Sequence, residues 1–167
     1  MPEIDSPFAE TIRRFEEAGV RFVVIGGVAL ALHGSDSLTS DVDFAYAVDP
    51  ENLERLSALL TAIHARVLGR PANDGFVVTP ATLRAVRFLN LATDLGAVDV
   101  MRVVPGVDSF EGLWERAVPL DLGGFVVRVA SLDDLIAMKR AANRPKDQYH
   151  LAELLALKKL IEGGGDA

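Results

Sequence analysis

Three aspartates sit inside runs that otherwise belong in the interior of a sheet, and this constrains the chain more than any other feature. Asp41 and Asp43 flank Val42 at the head of a run continuing through Phe44 and Tyr46, and Asp99 lies within Ala97–Val98–Asp99–Val100–Met101. Side chains alternate along a strand, so Asp41 and Asp43 share one face while Val42, Phe44 and Tyr46 point together into a core. Two carboxylates side by side repel unless a cation lies between them, and oxygen-only donors suit Mg²⁺ or Mn²⁺. A solvated strand edge with exposed acids is the alternative for the Asp-x-Asp pair. It suits Asp99 less well, because its same-face neighbours Ala97 and Met101 are apolar and an unpaired buried charge is costly.

Around these acids the periodicity alternates between helix and strand, which predicts a mixed α+β (α/β mixed) domain. Phe8 to Ala18 is amphipathic through Ile12 and Phe15 and stops at Gly19. Arg21 to Ile25 is a strand ended by Gly26-Gly27, and a short helix from Val28 to about His33 closes at Gly34. Asp49-Pro50 starts a helix to about Arg66, with Leu53, Leu56, Leu60 and Ile63 on one stripe. Residues 70–81 are expected as a loop with one short strand in 76–78. Strands follow over 86–92 and 97–103, then a short helix around Trp114, and a hairpin over 118–122 and 125–129 turning at Gly123-Gly124. Ser131 and Pro145 open two final helices. The expected organisation is a core over 1–130 with a small mixed or antiparallel sheet flanked by helices, a helical pair over 131–163 packed on it, and a flexible tail at 164–167.

The 167 residues fit one domain, and a hydrophobic content of 50% provides ample core. The absence of cysteine excludes disulfides, thiolate metal sites and a cysteine nucleophile. An acidic N-terminus without an apolar segment and the lack of any membrane-length apolar run predict a soluble, cytoplasmic protein with no membrane partner. A net charge of −7 argues against a duplex-DNA surface.

Two further features bear on chemistry. Gly26-Gly27 lies between a strand and a helix, where a backbone without Cβ approaches phosphate oxygens closely and free helix amides favour anions; a plain tight turn is the alternative. Lys139 falls at i+7 on the apolar stripe of Leu132, Leu135 and Ile136, so it must snorkel, pair with an acid or reach a ligand. Asp147 occupies the first turn of the last helix on the face of His150, Leu151 and Leu154. A buried Lys139–Asp147 pair is one reading, and a lysine directed at a triphosphate and oriented by Asp147 is the other. Arg140 is expected as an exposed helix-end cation, whereas Arg144 and Lys146, in the inter-helix turn, are placed for phosphates or an acceptor. His33, His64, His150 and Trp114 are assigned structural roles, and no P-loop, HExxH or Ser-His-Asp order is present.

Taken together, VVIGGVALALHG, LTSDVDFAY and GAVDVM resemble the nucleotidyltransferase superfamily, whose pattern is a Gly-Gly or Gly-Ser turn, an Asp-x-Asp, and a third acid on a later strand. With SLDDLIAMKRAANRPKDQYHLAELLAL following, the chain is similar to the minimal branch that includes the AbiE-type (AbiEii-like) bacterial toxins, over about residues 15–160. The resemblance implies transfer of a nucleoside monophosphate from a nucleoside triphosphate to a hydroxyl on a tRNA end, a protein or a small molecule, with an antitoxin protein as a partner in the toxin case. It implies Asp41, Asp43 and Asp99 as metal ligands and catalytic groups, and Lys139 as a catalytic and triphosphate-binding residue. Gly26, Gly27, Ser37, Thr39, Arg144 and Asp147 would complete the nucleotide site. The chain departs from the pattern at Ser37, where relatives commonly carry an arginine, which removes one phosphate or acceptor contact. A catalytically silent nucleotide-binding module of the same fold is the competing expectation.

Overall fold

The computed structural model describes residues 7–36 and 38–164. Fourteen elements alternate along them. The first part holds α1 (Pro7–Glu17), β1 (Phe22–Ile25), α2 (Gly26–Leu32), β2 (Asp41–Tyr46), α3 (Pro50–Ala62), β3 (Arg66–Val67) and α4 (Pro80–Ala85). The second holds β4 (Phe88–Thr93), β5 (Gly96–Met101), α5 (Phe110–Arg116), β6 (Val118–Asp121), β7 (Val126–Val129), α6 (Leu132–Ala142) and α7 (Pro145–Gly163). The strands form one mixed sheet in the order β3-β4-β5-β2-β1-β7-β6. β1 with β7 and β2 with β5 are parallel, and the remaining neighbours are antiparallel.

One face of this sheet is the core. Val42, Phe44 and Tyr46 of β2, Leu89 and Leu91 of β4, and Val98 and Val100 of β5 are all buried. Phe15 of α1 stacks on Phe44 at 4.1 Å between ring centroids, and Phe22 meets both rings edge-on. The Tyr46 hydroxyl donates to the Leu83 carbonyl at 2.7 Å, which ties α4 to the same face. The leucine stripe of α3, Leu53, Leu56 and Leu60, is fully buried as its period requires. Its neighbour Asn52 is also buried and bridges backbone groups at the ends of β1 and β2, accepting from Arg21 N and donating to the Arg21 and Ala47 carbonyls. Among the described residues no helix is long and apolar enough to cross a membrane.

The elements depart from the sequence expectation in four places. The glycine pair lies inside α2 rather than before it. The α3 helix stops at Ala62, and Arg66–Val67 instead pairs with Leu91–Ala92 of β4. No strand forms over 76–78, where Phe76 and Val77 are exposed. The α4 helix was not expected, although Thr79 at the N-cap, Pro80 at the first turn and Thr82 closing a capping box signal it.

Loop 102–109, leaving β5, folds back onto α6. Gly106 has φ +86°, and a Cβ there would land on the Ala137 carbonyl and within 3.1 Å of Ala141. The loop therefore braces the helix that carries Lys139. Gly106→Ala should lower stability by about 1–3 kcal/mol through overpacking and left-handed backbone strain, measured by chemical denaturation against wild type.

Candidate active site

The face of the sheet opposite the core carries the acids. Parallel pairing sets Asp43 of β2 opposite Asp99 of β5, and Asp41 opposite Ala97. Antiparallel pairing then sets Asn90 of β4 opposite Asp99, and Phe88 opposite Met101. Asp43, Asp99 and Asn90 thus form a polar row across three adjacent strands, with Asp41 one step along its own strand. These side chains floor a cleft of about 650 Å³ whose other wall is α6 and the start of α7, including Leu135, Met138, Lys139, Arg144, Asp147 and His150.

The juxtaposed carboxylates perturb each other. Burial, followed by the neighbouring Asp99 and then Asp41, pushes the Asp43 carboxyl up to about 7, while Lys139 pulls the other way. Burial also raises Asp99, and the hydrogen bond it shares with Asp43 opposes that rise. One proton between the two groups relieves the repulsion in the free protein, as expected of paired carboxylates. Asp41, at the cleft edge, accepts from the Ser40 hydroxyl at 3.0 Å.

The glycines are required by this arrangement before any ligand is considered. Gly26 has φ +68°, and a Cβ on it would coincide with the Asp43 carboxylate. A Cβ on Gly27 would lie 2.7 Å from both Cβ and Oγ1 of Thr39. The Thr39 hydroxyl turns inward to the Asp41 backbone, donating to its carbonyl at 3.1 Å. The glycine pair lets β1 and α2 pass close over β2, and both glycines still line the cleft.

The cationic wall is organised by Asp147, which is 0% exposed. Its carboxylate accepts from Lys139 Nζ at 3.2 Å, from Arg144 Nε at 2.6 Å and from the Arg144 backbone N–H at 3.1 Å. Burial alone would raise its pKa, but these donors outweigh burial and hold it below the usual carboxylate range. The Lys139 side chain is 13% exposed and that of Arg144 is 63% exposed. The buried Lys139–Asp147 pair therefore forms, and Lys139 still reaches the cleft and acts electrostatically on Asp43. Lys146 lines the cleft, whereas Arg140 is exposed and outside it. Ser37 lies outside the described residues.

The histidines divide. His33 Nε2 pairs with the Ala130 carbonyl at 2.8 Å, and His64 pairs with Asp94 at 2.5 Å, both away from the cleft. His150, read from sequence as structural, lines the cleft, and its buried Nδ1 has no hydrogen-bond partner among the described residues. Its spacing three residues after Asp147 on α7 was the available signal. Burial, then Lys139, lowers its pKa. Trp114 lies between the guanidinium groups of Arg21 and Arg128, at 4.9 and 4.2 Å, and takes no part in the site. Asn90, Phe88 and Met138 went unnoticed in the sequence, since only strand register and helix packing bring them to the acids.

Asp43 gives a stability test with a definite sign. A carboxyl whose folded-state pKa lies above its unfolded value supports folding at low pH, and that contribution is lost as pH rises from about 4 towards 7. In metal-free buffer, Asp43→Asn should therefore melt several degrees above wild type at pH 8, with the gap closing towards pH 5. An equal gap at both pH values would contradict the coupling.

Several solved structures share this fold. The structure resembles that of the lincosamide antibiotic adenylyltransferase LnuA bound to lincomycin, with a TM-score of 0.63, 12% identity and coverage of 92% of this chain and 97% of that one. It resembles ANT(2'')-Ia in complex with adenylyl-2''-tobramycin, with a TM-score of 0.56, 15% identity and coverage of 95% and 88%. It also resembles an antigenic nucleotidyltransferase-like protein from Paracoccidioides brasiliensis, with a TM-score of 0.57, 15% identity and coverage of 91% and 73%. At these identities the likeness establishes the nucleotidyltransferase fold. No curated protein matches the sequence significantly. The sequence profile described as "Nucleotidyltransferase of unknown function (DUF6036)" matches residues 4–160, nearly the whole chain, and the protein belongs to that family.

Proposed function

We propose that this protein transfers a nucleoside monophosphate from a nucleoside triphosphate to a hydroxyl acceptor in a reaction that depends on a divalent metal. The observation that carries this reading is the in-register Asp43–Asp99 pair on the floor of a cleft faced by Lys139. Family membership and the adenylyltransferase neighbours support the transferase class.

The donor chemistry fits a hard divalent cation. Asp43 and Asp99 supply oxygens close enough to share a proton, and Asp41 supplies another along the same face. Among the described residues no three such groups converge into a closed shell, so waters and phosphate oxygens would complete the coordination of Mg²⁺ or Mn²⁺. When bound, that cation supplies charge neutralisation at the phosphates and at the leaving oxygen.

The residues of the chain do the rest. Lys139, held in place by Asp147, offers its remaining N–H donors to the triphosphate, with Arg144 and Lys146 adding positive charge at the same end. Gly26 and Gly27, the first residues of α2, line the cleft, and Ile25 provides no side-chain cap. Asp99 accepts the proton of the acceptor hydroxyl as its oxygen bonds to the α-phosphorus. The bond from the α-phosphorus to its bridging oxygen breaks, and pyrophosphate leaves with the electron pair. The AbiE-type resemblance would make the acceptor a tRNA end or a protein and give the protein an antitoxin partner.

Incubation with each α-³²P-labelled nucleoside triphosphate, Mg²⁺ or Mn²⁺ and a cell extract should move label onto an acceptor, and Asp41→Asn should abolish the transfer while leaving the fold intact. A wild-type protein that is well folded, binds nucleotide and moves no label under any of these conditions is instead a silent binding module. Lys139→Met provides a separate check. Arg144 keeps Asp147 paired, so the variant should remain folded yet lose most of the thermal stabilisation that a non-hydrolysable triphosphate with Mg²⁺ gives wild type.

A further inference from the structure

The two ends of the cleft differ in chemistry. Every lysine or arginine lining it, Lys139, Arg144 and Lys146, belongs to the α6–α7 end. The end beyond Asp99 is lined by Phe88, Met101, Val104, Pro105 and Met138, and Asn90 is its polar side chain. Phe88 is 55% exposed, an uncommon state for a phenylalanine on a sheet whose opposite face is fully packed. Asn90 stands directly across the strand pair from Asp99, is exposed to the cleft, and makes no side-chain hydrogen bond with the described residues. An amide in that position can both donate to and accept from a hydroxyl held over Asp99.

We propose that this end is the acceptor subsite, and that the acceptor is a small, hydroxyl-bearing molecule with an apolar face and no phosphate backbone. The proposal rests on the transferase reading above. The apolar face lies on Phe88 and Met101, with Val104, Pro105 and Met138 around it. The hydroxyl is held between Asn90 and Asp99, where the Asp99 carboxylate takes its proton. A polyanionic acceptor is disfavoured twice over: no lysine or arginine lines this end, and it adjoins Asp99 and Asp43 in a protein of net charge −7. Small-molecule sites are mostly apolar with a few placed polar groups, which is the lining found at this end. Phe88 supplies area, and Asn90 selects for a hydroxyl, because an acceptor lacking one leaves the amide unpaired.

The test separates this inference from the reading beneath it. A cell extract is divided into RNA, protein and small-molecule filtrate, and each fraction is offered with Mg²⁺ and α-³²P-labelled nucleoside triphosphates. Label should appear in the filtrate. Phe88→Ala should raise the filtrate concentration needed for half-maximal transfer by about tenfold, and Asn90→Leu should lower transfer at saturating filtrate by about tenfold. In both variants the triphosphate KM should stay within about twofold of wild type. Label on RNA or protein, or unchanged acceptor dependence in both variants, overturns the acceptor assignment and leaves the transferase reading standing. Failure of wild type to label any fraction, despite binding nucleotide, overturns both.

Discussion

The repulsion between Asp43 and Asp99 is the constraint from which the site is built. Parallel pairing of β2 and β5 sets the two carboxyls at the same level on one face, and partial burial limits the water that would screen their charges. Core packing does not require this, since Val42, Phe44 and Tyr46 of β2 and Val98 and Val100 of β5 point the other way. It persists because neighbouring structure accommodates it. Gly26 gives up its side chain so that the Asp43 carboxylate has space, and Lys139 faces the pair from the opposite wall. Such concentrations of strained electrostatics are more typical of functional sites than of structural ones.

Lys139 in turn depends on Asp147. A lysine on the apolar stripe of α6 would be costly without a partner, and a buried aspartate would be costly with only one. Sharing Asp147 between Lys139 and Arg144, with the Arg144 backbone N–H as a third donor, satisfies the carboxylate and fixes the α6–α7 turn together. Asn143 supports that turn from the left-handed region at φ 49°, a conformation asparagine tolerates better than most residues. The ion pair and the placement of Lys139 in the cleft lining are therefore two aspects of one arrangement, since the pair positions Nζ.

Much of this was legible in the sequence. The acids betrayed themselves by breaking apolar runs, Lys139 by its place on a hydrophobic stripe, and most elements by their periodicity and caps. What escaped depends on information that is not local. Nothing near Asn90 announces that β4 will pair with β5 in the register that brings it beside Asp99. His150 looked like one more side chain on an amphipathic helix until α7 was packed against α6. The glycine pair was noticed for a sound reason, free backbone for phosphate, yet its immediate tenants are Asp43 and Thr39. The α4 helix shows the opposite case, in which a readable capping box at Thr79–Thr82 was outweighed by the loop-like composition just before it.

Charge counting then ties the proposed reaction to the proposed acceptor. When ionised, Asp41, Asp43 and Asp99 confront a Lys139–Asp147–Arg144 cluster of one net positive unit, to which Lys146 adds a second. On these terms the cleft repels a triphosphate unless added positive charge offsets the acids, which is the contribution a divalent cation would make. That compensation is local, falling off over several ångströms at physiological ionic strength. It would offset the acids and the phosphates, and beyond Asp99 the lining turns to Phe88, Met101 and Pro105. An acceptor entering there gains nothing from carrying negative charge, but it gains from shedding apolar surface and from one well-placed hydroxyl. The same acids that call for a cation at one end thus set the polarity of what the other end can hold.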